Sequence, residues 1–106
     1  MVSRFDIYLV NLDAEPSKNP KNTRPCVVIS PDEMNRNIAS VIIAPLTASP
    51  AKYPTRVPVN FLNTERLVVL DQMRAVDKAR LVKSVGKVEM SERKAVLERL
   101  AELFAE

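Results

Sequence analysis

The chain has no histidine and no tryptophan, and only one cysteine and one glycine among its 106 residues. Each shortage removes a class of function. Without histidine there is no ordinary general base for neutral pH and the commonest metal ligand is missing. The lone cysteine, Cys26, cannot close an intramolecular disulfide, and without a histidine it forms neither a structural zinc site nor a Cys-His nucleophilic pair. Gly86 alone cannot supply the glycine-rich loops, GxGxxG or GxxxxGK, that cradle nucleotide phosphates. No cofactor and no metal are therefore expected. No apolar run approaches the roughly 20 residues of a membrane span, and no signal peptide is visible. The expectation is a single cytoplasmic domain over 1–106, because this length has room for one core.

What is present is basic charge, unevenly placed. The net charge of +3 arises from 16 basic and 13 acidic residues. Residues 17–24 carry Lys18, Lys21 and Arg24 and no acid; residues 74–87 carry Arg74, Lys78, Arg80, Lys83 and Lys87 against Asp77 alone. A charge run is ordinarily a solvated face. Two such runs beside apolar strands are also what a phosphate-tracking groove needs.

The stretch Thr23–Pro31 organises the reading. Cys26–Ile29 is an unbroken apolar run, which predicts a strand buried on both faces, with Cys26 a small buried hydrophobe. Pro25 fits only its first position, having no N–H for a ladder. Ser30 reads as an N-cap with Pro31 at the first helical position and Glu33 completing Ser-x-x-Glu, predicting a short helix over Pro31–Asn37. Before it lie a strand over Arg4–Leu12 and a polar loop over Asp13–Asn22. After it come a strand over Ser40–Thr47, with Pro45 marking an edge or bulge, and a loop over 48–55. Strands then follow over Arg56–Val59 and Arg66–Leu70, the latter continuing half-exposed through Asp71–Asp77. Lys78–Leu81 makes a turn and Val82–Val88 a last strand. Ser91 caps a final helix on which Val96, Leu97, Leu100, Leu103 and Phe104 share one face, expected to cover the chain's own barrel. Short strands closed by one amphipathic helix predict a mostly β fold, a small antiparallel barrel.

Five segments, in order, carry a resemblance. Tyr8–Asp13, Thr23–Pro31, Asn35-Arg36, Ala44–Thr47 and Asp71–Leu81 together resemble the MazF/PemK family of toxins. The resemblance implies an SH3-like barrel with a short helix after the second strand and a C-terminal helix, acting as a homodimer. It implies a metal-independent, sequence-specific endoribonuclease of single-stranded RNA, the toxin of a type II toxin–antitoxin pair. It also implies catalytic roles for Arg24 and Thr47 and, in some members, for Asp71. Three departures stand out. The loop Ser17–Asn22 lacks the family's glycines and acid, Val69 stands where the PemK branch has arginine, and Phe5 replaces an opening glycine, a change expected to touch strand packing only.

The residues suit the implied chemistry. RNA can be cut by its own 2′-OH attacking the adjacent phosphorus. Arg24, planar and always charged, can make two parallel bonds to the phosphoryl oxygens, which lysine cannot. Thr47 can orient the 2′-OH or donate to the phosphate, although a hydroxyl is a poor base. With no histidine, Asp71 is the candidate base, provided burial raises its pKa. Read without the resemblance, Arg24 would bridge a surface carboxylate, Thr47 would be a β-former or cap, and Asp71 would satisfy a turn. Lys18, Lys21, Asn22, Ser49, Lys52, Tyr53, Gln72, Arg74 and Arg80 are the expected RNA-binding residues, with Tyr53 the best candidate for stacking on a base. The expected partners are single-stranded RNA, a second copy of the chain, and a cognate antitoxin with an acidic, partly disordered segment. Two alternatives compete. CcdB toxins share such a barrel and trap DNA gyrase, but their activity depends on a C-terminal tryptophan, and this chain ends Leu103-Phe104-Ala105-Glu106. A silent RNA-binding barrel would carry the same arginines.

Overall fold

A computed structural model describes residues 1–13, 22–49, 51 and 53–105. The elements are β1 (Asp6–Asn11), β2 (Thr23–Val28), α1 (Asp32–Asn37), β3 (Ser40–Thr47), β4 (Arg56–Phe61), β5 (Thr64–Val69), β6 (Arg74–Asp77), β7 (Leu81–Lys87) and α2 (Met90–Leu103). The strands pair antiparallel in the order β4-β5-β3-β2-β1-β7, and β6 also pairs with β3. The result is a curled, mostly β half-barrel with a C-terminal helix, the expected class.

The central strands are apolar without a break because both of their faces are covered. On one face Ile7, Val27, Ala44, Leu46, Val57, Val68 and Leu70 form the larger core, into which α2 sets Val96, Leu100 and Leu103. On the other, Val10, Cys26, Val28, Val41, Ile43 and Val76 form a second cluster. Burying one such side chain contributes about 1.5–3 kcal/mol. The helix packs on its own barrel, as expected. Its predicted stripe is only partly used, since Leu97 and Phe104 are exposed while Val96, Leu100 and Leu103 meet the core.

β3 changes partner along one edge. It pairs β6 at Ser40–Ile43 and β5 at Leu46–Thr47. Pro45 falls in the gap between them while lying opposite Cys26 on the other edge. The proline expected to mark an edge or bulge marks a switch of partner, where a missing N–H breaks no ladder. The predicted continuous strand through Asp71 is likewise interrupted. Leu70–Gln72 is a 3-10 turn, which carries the chain from β5 to β6 on the same neighbour. Pro25 is the third residue of β2 rather than its first, and it precedes the first β2–β3 pair.

Two expected helix caps are absent. Pro31 occupies the N-cap of α1 without a side-chain bond, and Glu89 does so for α2, one residue before its first helical turn at Met90. Ser30 Oγ instead donates to Asn35 Oδ1 and accepts from Ile42 N at 3.1 Å, while Asn35 Nδ2 donates to Ser30 O at 3.0 Å. Both side chains are buried, so their mutual satisfaction outweighs a cap open to solvent.

Phe5 lies at φ 75°, a left-handed conformation that favours glycine. The replaced glycine therefore bears on the backbone as well as on packing. The buried ring compensates by filling the larger core, with the Arg93 guanidinium 5.1 Å from its centroid. Phe5 N donates to Val28 O and Phe5 O accepts from Val88 N, joining β2 to the end of β7.

Candidate active site

The β2–β3 register decides the site. It pairs Val28 with Ile43, Val27 with Ala44 and Cys26 with Pro45. Carried two residues further toward the strand ends, the same register sets Arg24 opposite Thr47. Side chains alternate along a strand, so Arg24 shares its face with Cys26 and Val28, and Thr47 shares its face with Pro45 and Ile43. Arg74 lies opposite Ile43 from the other side and joins the same face. Three residues scattered over 50 positions of sequence thus lie on one sheet face.

Cys26 lies on the face that Arg24 and Arg74 share. Its thiol is buried, and burial pushes its pKa up to about 11 against the opposing pull of Arg24 and Arg74. Both guanidinium groups are therefore close enough to the thiol to act on it. Both arginines are exposed, and among the described residues neither forms an ion pair. The surface-bridge reading of Arg24 finds no partner there. Cys26 Sγ donates to Arg24 O at 3.5 Å, which ties the arginine's backbone to the core.

Thr47 is half-buried, and its Oγ1 accepts from Ser49 N at 3.1 Å. With its oxygen accepting from the backbone in this way, the hydroxyl keeps its proton free to donate. Ser49 is exposed and its Oγ accepts from Ala51 N at 3.4 Å. The start of the β3–β4 loop is therefore organised by hydroxyl groups.

Asp71 is not in the buried setting that a base role requires. Its side chain is 38% exposed. Its Oδ1 accepts from Thr55 Oγ1 at 2.8 Å and lies 3.8 Å from Arg56 Nε. Tyr53, 57% exposed, lies over the Arg56 guanidinium at 4.8 Å. Gln72 is exposed in the same 3-10 turn as Asp71.

Residues 3–104 match the model of the PemK-like, MazF-like toxins of type II toxin–antitoxin systems. The chain belongs to that family. Solved structures agree in fold. Mycobacterium tuberculosis toxin MazF-mt6 superposes with a TM-score of 0.77 at 24% identity, covering 93% of this chain and 95% of that one. An endoribonuclease in complex with its cognate antitoxin from a mycobacterial species gives a TM-score of 0.82 at 21% identity over 96% and 93%. MazF from Deinococcus radiodurans gives 0.76 at 20% over 96% and 94%.

The remaining predicted contacts of this MazF-like chain divide. Lys18, Lys21 and Lys52 lie outside the described residues. Asn22 is exposed, and its carbonyl accepts from Leu12 N at 2.8 Å, closing the base of the β1–β2 loop. Arg80 is half-buried, and its Nη1 donates to Asn11 O at 3.1 Å and to Asp13 O. It braces the backbone where β1 ends, a task that an exposed groove residue would not have. Among the described residues no helix is long and apolar enough to cross a membrane. Sequence reasoning missed Arg56, which connects Tyr53 to Asp71. Its only signal was its closeness to Tyr53 in a strand that otherwise reads apolar.

Proposed function

We propose that this toxin-family chain is a metal-independent, sequence-specific endoribonuclease of single-stranded RNA, with Arg24 and Thr47 at its reacting centre. The observation that supports the reading is the β2–β3 register through Cys26 and Pro45, whose continuation aligns Arg24 with Thr47, with Arg74 on the same face. In the proposed reaction the 2′-oxygen attacks the adjacent phosphorus and gives up its proton. The P–O5′ bond breaks, and the departing oxygen takes a proton, leaving a 2′,3′-cyclic phosphate and a 5′-OH. Arg24 binds the non-bridging oxygens, whose charge grows in the transition state, by two parallel N–H bonds. The Thr47 hydroxyl donates to the phosphate or orients the 2′-OH, and Arg74 adds positive charge along the strand. A homodimer and an antitoxin with an acidic segment belong to the same reading; the mycobacterial neighbour's complex with its cognate antitoxin supports the antitoxin partner.

One observation favours the silent RNA-binding barrel instead: Asp71, the predicted base, is exposed and engaged by Thr55 and Arg56. One experiment separates the two. Purified protein is incubated with a long single-stranded RNA in EDTA, and the fragments are treated with polynucleotide kinase. The nuclease reading expects cuts at one short motif whose new 5′ ends accept phosphate directly, as 5′-OH ends do. RNA bound but uncut would favour the silent barrel. Cutting that EDTA abolishes would contradict the metal-independent mechanism.

A further inference from the structure

Tyr53 is the most exposed aromatic ring that is also held. The Arg56 guanidinium lies 4.8 Å from its centroid. That guanidinium is largely buried, at 16% exposure, and its Nε has no hydrogen-bond partner, only the Asp71 carboxylate at 3.8 Å. Asp71 in turn accepts the Thr55 hydroxyl. The backbone repeats the connection, with Arg56 N donating to Tyr53 O at 2.9 Å and Leu70 N donating to Thr55 O at 3.1 Å. Tyr53, Thr55 and Arg56 are thus pinned to the turn that carries Asp71 and Gln72. The ring is fixed before any ligand arrives, so a planar partner meets little loss of side-chain freedom on binding.

We propose that Tyr53, backed by Arg56 and positioned by Asp71, is a stacking platform for one unpaired base of a single-stranded RNA, a purine in preference to a pyrimidine. This rests on the nuclease reading and adds a determinant of which sequence is held. Arg56 lies over one face of the ring, and among the described residues the ring keeps enough exposed surface for a base, whose stacking needs a π-surface and no hydrogen-bond code. A purine covers more of that surface. Asp71 is then a positioning residue, acting through Arg56 and Thr55 rather than on the reacting atoms. Among the described residues no other aromatic combines such exposure with a cation behind it.

The test uses fluorescein-labelled 2′-O-methyl decamers of adenine and of uracil, which cannot be cut because the attacking oxygen is blocked. Binding to the full-length protein is followed by anisotropy. Tyr53→Ala should weaken the adenine decamer about tenfold, the order expected of one lost base–aromatic stack, and uracil less. Tyr53→Phe should bind like the unsubstituted protein. In cleavage of ordinary RNA, Asp71→Asn should raise KM and leave the shape of the pH profile of kcat as it was. Unchanged binding by Tyr53→Ala overturns the platform alone. So does an equal loss in Tyr53→Phe, which would make the hydroxyl the contact. A fall in kcat with a lost limb of the pH profile in Asp71→Asn places Asp71 on the reacting atoms and overturns its positioning role. No RNA binding or cleavage by the unsubstituted protein overturns the nuclease reading together with the platform.

Discussion

Arg24 and Arg74 both act on the Cys26 thiol, yet burial governs its proton. In the fold the thiol titrates at about 11, against an ordinary value of 9.0. The native state thus resists losing that proton more than the unfolded chain does. Its contribution to stability is fully present below pH 9 and is lost as pH rises toward 11. Urea unfolding at pH 8 and pH 11 should show the native chain losing on the order of 2 kcal/mol more than Cys26→Ala over that interval. Equal losses would mean the thiol is not held protonated. Phe5 poses the opposite question, of backbone against side chain. Phe5→Ala keeps a left-handed residue with a Cβ and empties part of the core, costing about 3–5 kcal/mol. Phe5→Gly empties the same space and relaxes the backbone, so it should be the more stable of the two by about 1 kcal/mol. That reverses the usual order of alanine and glycine, and denaturant midpoints would show it. Alanine above glycine would argue against strain at Phe5.

The β4–β5 hairpin turns on two residues, Leu62 at φ 50° and Asn63 at φ 61°. Two positive φ values match the type I′ turn that suits strand twist, but leucine is a poor occupant of its first position. Leu62 is 73% exposed and has little packing to lose. Leu62→Asn should therefore stabilise the protein by about 1 kcal/mol, read as a rise in the urea midpoint. No rise would mean that the turn carries no strain. The turn falls in the gap between the strands read over Arg56–Val59 and Arg66–Leu70, where Asn63 is its local signal because asparagine tolerates left-handed backbone. The strands over Cys26–Ile29 and Ser40–Thr47 were legible for a stronger reason: both faces are buried, so the apolar run is unbroken. Ser91 was read as a cap although α2 begins one residue before it, at Met90; the cap at Ser30 was misread because a serine hydroxyl serves whichever partner the tertiary fold brings. For Ser30 that partner is Asn35 and the backbone of Ile42, twelve residues on.

Across the molecule, the site follows from strand register. Arg24 and Thr47 were read as site residues from two segments that resemble the family in order. Their proposed alignment follows from the pairing of Cys26 with Pro45, which no local pattern states. The bracing of β1 by Arg80 was not legible for a related reason. Its partners, the carbonyls of Asn11 and Asp13, lie 69 and 67 residues away in the chain. The link from Tyr53 through Arg56 to Asp71 is also non-local, so Asp71 was read from chemistry it would need rather than from the contacts it makes.

The central claim is that Arg24 stabilises charge on a transferring phosphate, and the most direct test is single-turnover RNA cleavage in EDTA by Arg24→Lys and Arg24→Ala. A lysine keeps the charge but cannot make two parallel bonds. Both variants should fold like the unsubstituted protein, since Arg24 is exposed. Arg24→Ala should fall by at least about 10²-fold, and Arg24→Lys should recover only part of that loss. Cleavage at full rate by Arg24→Ala would contradict the account and move the reacting centre away from the β2–β3 strand ends.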